Sequence, residues 1–251
     1  MRVWRALLSK EIRSSQGVLG FLLGATLVLG LYVHLQAIDA GTASGGLGLL
    51  ALPYAAVFVL PPVLLGSFAE EFRAQTHYQL LSLPVPRALW VLAKYLVVVA
   101  TGIAVFVLTT ALWQLALYRL GRGGAVPTAL VWAGIGSLYT AALLFLTGLA
   151  TAMAGLKLII RRFQKLAMVA FFLAVLYAYA RVIGWVLMGW ADPVTASLPP
   201  SAGPASAAAL IPLALMGLDA FPAGALMLAT VTFSLLLTGV GVVLFEVFAE
   251  A

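Results

Sequence analysis

The sequence contains no cysteine. Disulfides, thiolate metal sites and thiol nucleophiles are therefore excluded. Charge is almost as scarce, at 9% of 251 residues. A soluble domain carries roughly 25%, because it must present a wetted surface. With 64% hydrophobic residues, the chain lacks the polar side chains to cover a globule in water. It reads as an integral membrane protein. Only two histidines occur, His34 and His77. No His, Asp and Glu cluster has metal-ligand spacing, so no metal site is expected. No pair of acidic residues is spaced for acid–base work, and no catalytic residue is assigned. No GxxxxGK[ST] motif occurs, so the chain does not cradle ATP in a phosphate loop. The net charge of +6 suggests nucleic acid only in a soluble protein; here no nucleic-acid partner is expected.

What the chain has is long apolar runs, at about 17–35, 49–69, 88–117, 128–156, 165–190 and 221–248. Each is long enough to cross a hydrocarbon layer that needs about 20 residues. Six spans leave only short loops, so residues 1–251 are expected to form a single transmembrane domain. A shorter run at 205–217 is broken by Pro212 and follows PPSAGP at 199–204; it reads as a re-entrant or interfacial segment. GFLLG at 20–24 and GLATAMAG at 148–155 space small residues so that helix backbones can approach closely in lipid. Ordinary tolerance of glycine in membrane helices explains any one such pair equally well.

Basic residues set the orientation. Arg2, Arg5, Lys10 and Arg13 precede the first span. Arg73, Arg87 and Lys94 lie between the second and third, and Lys157, Arg161, Arg162 and Lys165 between the fourth and fifth. These are eleven of the 14 Lys and Arg residues. The positive-inside rule puts them, and both termini, in the cytoplasm of a cell whose inner membrane the chain crosses. Residues 1–15, MRVWRALLSKEIRSS, do not read as a secretory signal. Val3, Trp4, Leu7, Leu8 and Ile12 share one helical face, with Arg2, Arg5, Ser9 and Arg13 opposite. This pattern predicts an interfacial amphipathic helix resting on anionic lipid. Glu11 breaks it by projecting from the apolar face. Either the carboxylate finds a partner there, with Lys94 or Arg87 as candidates, or the helix frays after Lys10.

Other motifs carry little. GGLGLLA at 45–51 mimics a dinucleotide fingerprint but follows no strand. Ser44 among glycines has only His34 as a conceivable base, which gives an incidental loop serine rather than an intramembrane hydrolase. A secondary transporter is expected to show paired intramembrane charges and an internal repeat, and neither is visible. Arg181, past the middle of its run, has three readings: it snorkels outward, pairs with Asp192, or lines a translocation path. Glu246 and Asp219 read as boundary residues.

The segment EEFRAQTHYQLLSLPVPRALWVLAK, 70–94, is the most polar piece of the first half of the chain. Residues 70–83 predict a short amphipathic helix, with Phe72, Thr76, Leu80 and Leu83 on one side. Glu71, Gln75, Tyr78 and Ser82 lie on the other. Pro84 and Pro86 stop it, and Arg87 and Lys94 anchor the next span at the inner interface. A helix of this kind, joined to two spans, suits transmission of a push from a cytoplasmic partner.

FAEEFRAQTHYQLLSLPVPRALWVLAK resembles the cytoplasmic loop of ABC-2 type permeases, the membrane subunits of ABC exporters. The family pattern is an acidic residue, a Gly-Thr pair, a Leu-Leu run, Pro and Arg, then Lys. Glu71, Thr76, Leu80, Leu81, Pro84, Arg87 and Lys94 match it, with Gln75 where the family has Gly. LLSKEIRSS resembles the family's opening segment at Lys10 and Glu11, and the six-span topology and the 205–217 segment are similar too. The resemblance implies an all-α permease that pairs with a second copy or a related permease. Two separate cytoplasmic ATPase subunits would dock beneath it and hold the ATP and Mg, with no cofactor on this chain. It further implies that 70–83 is the coupling helix, with Glu71, Arg73, Gln75 and Tyr78 meeting the ATPase.

Overall fold

A computed structural model describes residues 2–40, 45–73, 86–119, 129–160, 163–188 and 220–248. Among them every element is an α-helix. In chain order these are α1 (Arg2–Ala40), α2 (Gly45–Arg73), α3 (Arg87–Arg119), α4 (Ala129–Ile159), α5 (Gln164–Met188) and α6 (Ala220–Phe248). Stretches long and apolar enough to cross a membrane lie in five of them: Trp4–Tyr32, Ala88–Leu115, Ile135–Lys157, Gln164–Trp185 and Leu226–Val247. The remaining helix, α2, has 29 residues and holds Pro53, Pro61 and Pro62.

Two boundaries differ from the sequence expectation. The amphipathic residues 1–15 do not form a separate interfacial helix; from Arg2 they run without a break into the first apolar stretch, giving 39 helical residues. No proline interrupts the junction. Gly17 and Gly20, the weak helix formers there, cost only about 1 kcal/mol each. At about 1.5 Å per residue the helix is some 58 Å long, nearly twice a hydrocarbon layer of about 30 Å. Its charged end therefore projects beyond the lipid tails. Likewise residues 70–73, expected to open a new helix, are the last turn of α2. The rest of the expected helix, 74–83, and the expected re-entrant segment, 205–217, lie outside the described residues.

The helices pack as a bundle in which α1 lies on α2 and α3, α2 on α3 and α4, and α4 on α6, with α5 at the edge against α4 and α6. The closest pair is α4 with α6. A Cβ on Gly241 would stand 2.8 Å from the Thr151 carbonyl carbon, and one on Gly148 would stand 2.8 Å from the Ser234 carbonyl oxygen. Small residues are required there because backbone meets backbone. Gly20 and Gly24 meet nothing within 4 Å, so of the two small-residue motifs only 148–155 makes such a contact. Across the same pair Ser234 Oγ donates to the Leu144 carbonyl at 2.6 Å. Buried Thr26, Thr101, Thr109, Thr147, Thr151 and Thr238 each donate to the carbonyl four residues back. That keeps hydroxyls satisfied within their own helix where no water competes. The outer faces present Phe21, Phe58, Val107, Leu173 and Leu228, as expected when the solvent is lipid.

Candidate functional site

On α1, Trp4, Leu7, Leu8 and Glu11 fall on one face by the 3.6-residue period. On α2, Leu64, Phe68 and Glu71 do the same, and on α3 so do Trp90, Val91 and Lys94. Each helix therefore places one charged residue in an otherwise apolar, inward-facing stripe. The three stripes converge, and the charges meet.

Lys94 Nζ lies 2.8 Å from Glu11 Oε2 and 3.3 Å from Glu71 Oε1. Lys10 Nζ lies 2.9 Å from the same Glu71 oxygen and 3.9 Å from Glu11 Oε1. Two cations and two carboxylates thus balance one another. Burial grades across the cluster: Glu11 and Lys94 are 2% and 3% exposed, Glu71 15% and Lys10 42%. Beneath the charges, Phe68, Trp90 and Phe245 pack ring to ring, with centroids 4.9 to 5.7 Å apart. Lys94 Nζ stands 5.5 Å from the Phe68 ring centre and 5.8 Å from that of Trp90. The ammonium is held by carboxylates and by π-faces at once.

Such a cluster adds little net stability over a hydrophobic packing, because desolvation offsets most of the Coulomb gain. Its effect is on register. Any slide of α1 along α2 and α3 would strand a buried charge. Among the described residues no group of three His, Asp or Glu residues is placed to hold a metal, and no nucleophile stands beside a base. The arrangement ties three helix ends together through their charges.

The carboxylate that breaks the apolar face of residues 1–15 is thus placed against Lys94; Arg87, the other candidate, opens α3 two turns earlier. Glu71 differs from its expected place. It is not on an outward docking side but mostly buried, because its helical phase is set by Leu64 and Phe68 of α2. Arg73 ends α2, and Gln75 and Tyr78 lie outside the described residues. Arg181 is not drawn into the cluster; it is exposed on α5, its guanidinium 6.0 Å from the Tyr177 ring. Sequence reading singled out Lys10 only through the family resemblance. Nothing in the sequence pointed to the Phe68–Trp90–Phe245 group, whose members come from three helices.

A family model described as ABC-2 family transporter protein matches residues 10–181. The match begins at Lys10 of the cluster and runs well into α5, over much more than half of the chain. Neither a curated protein nor a solved structure matches.

Proposed function

The chain belongs to the ABC-2 transporter family as an ABC-2 type permease, and from that premise we propose that it is one half of the membrane core of an ATP-driven exporter. A second copy or a related permease completes the core, with the translocation path between the two. Two separate ATPase subunits dock on the cytoplasmic side and carry the ATP and Mg. The chain lies in the cell's inner membrane with both termini in the cytoplasm, where eleven of its basic residues gather. All six helices cross. α1 leaves the cluster end and α3 starts from it, so the chain between them has to return, and α2 is the helix that does so.

The observation that carries this reading is the charge cluster itself. The segment 74–86 follows the last turn of α2, which holds Glu71, and precedes α3, whose first two turns lead to Lys94. A push on it is delivered to Glu71 and Lys94 together, and through Lys10 and Glu11 to α1. Residues 70–83 are therefore proposed as the coupling segment, with Arg73, Gln75 and Tyr78 as the contacts to the ATPase and Glu71 as the link inward.

Co-purification of the ATPase partner tests the docking half. Arg73→Glu, Gln75→Lys and Tyr78→Ala, combined, should reduce the ATPase recovered with the permease while its membrane abundance stays the same. Unchanged recovery with all three altered would place the docking surface elsewhere.

A further inference from the structure

On α5 the bundle-facing side is defined by Val175 and Tyr179. Tyr179 stacks on Phe145 with centroids 4.2 Å apart, and its hydroxyl lies 2.9 Å from Thr230 Oγ1. Tyr177, Arg181 and Trp185 follow one another at four-residue spacing on the opposite side. Tyr177 is 66% and Trp185 81% exposed. Arg181 lies about 25 Å along the helix from Gln164, still within a hydrocarbon layer of about 30 Å. Helical side chains lean toward the N-terminus, and the guanidinium follows that direction to the Tyr177 ring. It points back into the hydrocarbon rather than to the nearer surface, so outward snorkelling runs against the helix direction. Among the described residues no carboxylate reaches it. A cation held there needs an anion from beyond the described residues.

We propose that Tyr177, Arg181 and Trp185 bind the phosphate headgroup of an amphiphile lying along α5 in the outer leaflet. The guanidinium fork matches phosphate oxygens in paired hydrogen bonds, and the Trp185 ring, one turn nearer the outer surface, suits the boundary between headgroups and tails. Below Tyr177, exposed Leu173, Val169 and Leu166 continue the same stripe toward the inner side. An outer-leaflet amphiphile points its tails that way. The orientation comes from the proposed cytoplasmic placement of Lys157 and Lys165; the site itself is independent of ATPase coupling.

The test uses the purified full chain in mixed phosphatidylglycerol and phosphatidylcholine micelles, with retained lipid counted by native mass spectrometry. Wild type should retain phosphatidylglycerol preferentially. Arg181→Gln should lower that preference about tenfold, the loss of a charge-assisted contact, while Arg181→Lys keeps part of it. Arg181 faces away from the bundle, so both variants should stay folded, with unchanged melting temperature. Millimolar inorganic phosphate should not displace the lipid; displacement would make the ligand a soluble anion and overturn the proposal. So would a wild type without headgroup preference, or a preference untouched by Arg181→Gln. A preference that emerges only in Asp192→Asn would overturn it too, by showing that Asp192 is the partner. Lipid kept through extraction from native membranes identifies the source. Bulk phospholipid there means a resident lipid and any other phosphate-bearing amphiphile means cargo, and either supports the site. None of these readouts involves the ATPase, so failure here leaves the coupling proposal standing.

Discussion

The two tightest regions of the bundle are held together in opposite ways. At the cluster end, α1, α2 and α3 are registered by four charges, two of them almost wholly buried. Along α4 and α6 the register comes from missing side chains, with backbone against backbone at Gly148 and Gly241. The first joint is specific but conditional, because its strength depends on both members of the buried pair, Glu11 and Lys94, being present. The second depends on volume and is indifferent to charge. A joint that must transmit a push between helices suits the first design, and a fixed wall suits the second.

The sharpest way to break the comparison is at the buried pair. Glu11→Ala or Lys94→Ala alone leaves an uncompensated charge and should cost about 3–5 kcal/mol, seen as a large fall in melting temperature or loss of the folded chain. Glu11→Met with Lys94→Met removes both charges and leaves Lys10 with Glu71. It should recover most of that loss, which a double-mutant cycle in detergent would measure. Additive losses would mean that the two side chains do not act as a pair.

At the other joint Gly241→Val should cost about 1–3 kcal/mol through overpacking, and no substitution of charge elsewhere should rescue it. The smallest effect is expected from Lys10→Ala. This lysine is 42% exposed, and an exposed ion pair contributes about 0–1 kcal/mol. A large loss of thermal stability there would show that Lys10 is more enclosed than its surface suggests.

The contrast also explains what could be seen in the sequence. Apolar runs located all six described helices, because a long apolar run leaves a signal that no loop imitates. Their ends were less legible: α1 and α2 continue into charged residues, and helical hydrogen bonding does not stop where the lipid stops. Glu11 was visible because it violates an apolar face. Lys94 was visible as a cation of the same loop and span. A wheel drawn from residue 70 alone turns Glu71 outward, because it leaves out the turn before it. With Leu64 and Phe68 included, the same residue points inward. The convergence of Phe68, Trp90 and Phe245 leaves no local pattern, since each belongs to a different helix and its own run is apolar in any case. The α4–α6 contact was half legible: GLATAMAG offered the spacing, but GFLLG offered it equally and meets nothing within 4 Å.

The central claim is that Glu71 carries motion from the coupling segment to α1, and one labelling experiment tests it most directly. A single cysteine at Ser44, just beyond the far end of α1, is followed with an impermeant thiol reagent in the assembled complex, with and without ATP. Its reactivity should change with ATP when Glu71 is intact. In Glu71→Gln, which keeps the size of the side chain but not its charge, the ATPase should still co-purify while the ATP-dependent change is lost. An ATP-dependent change that persists at full amplitude in Glu71→Gln would contradict the account.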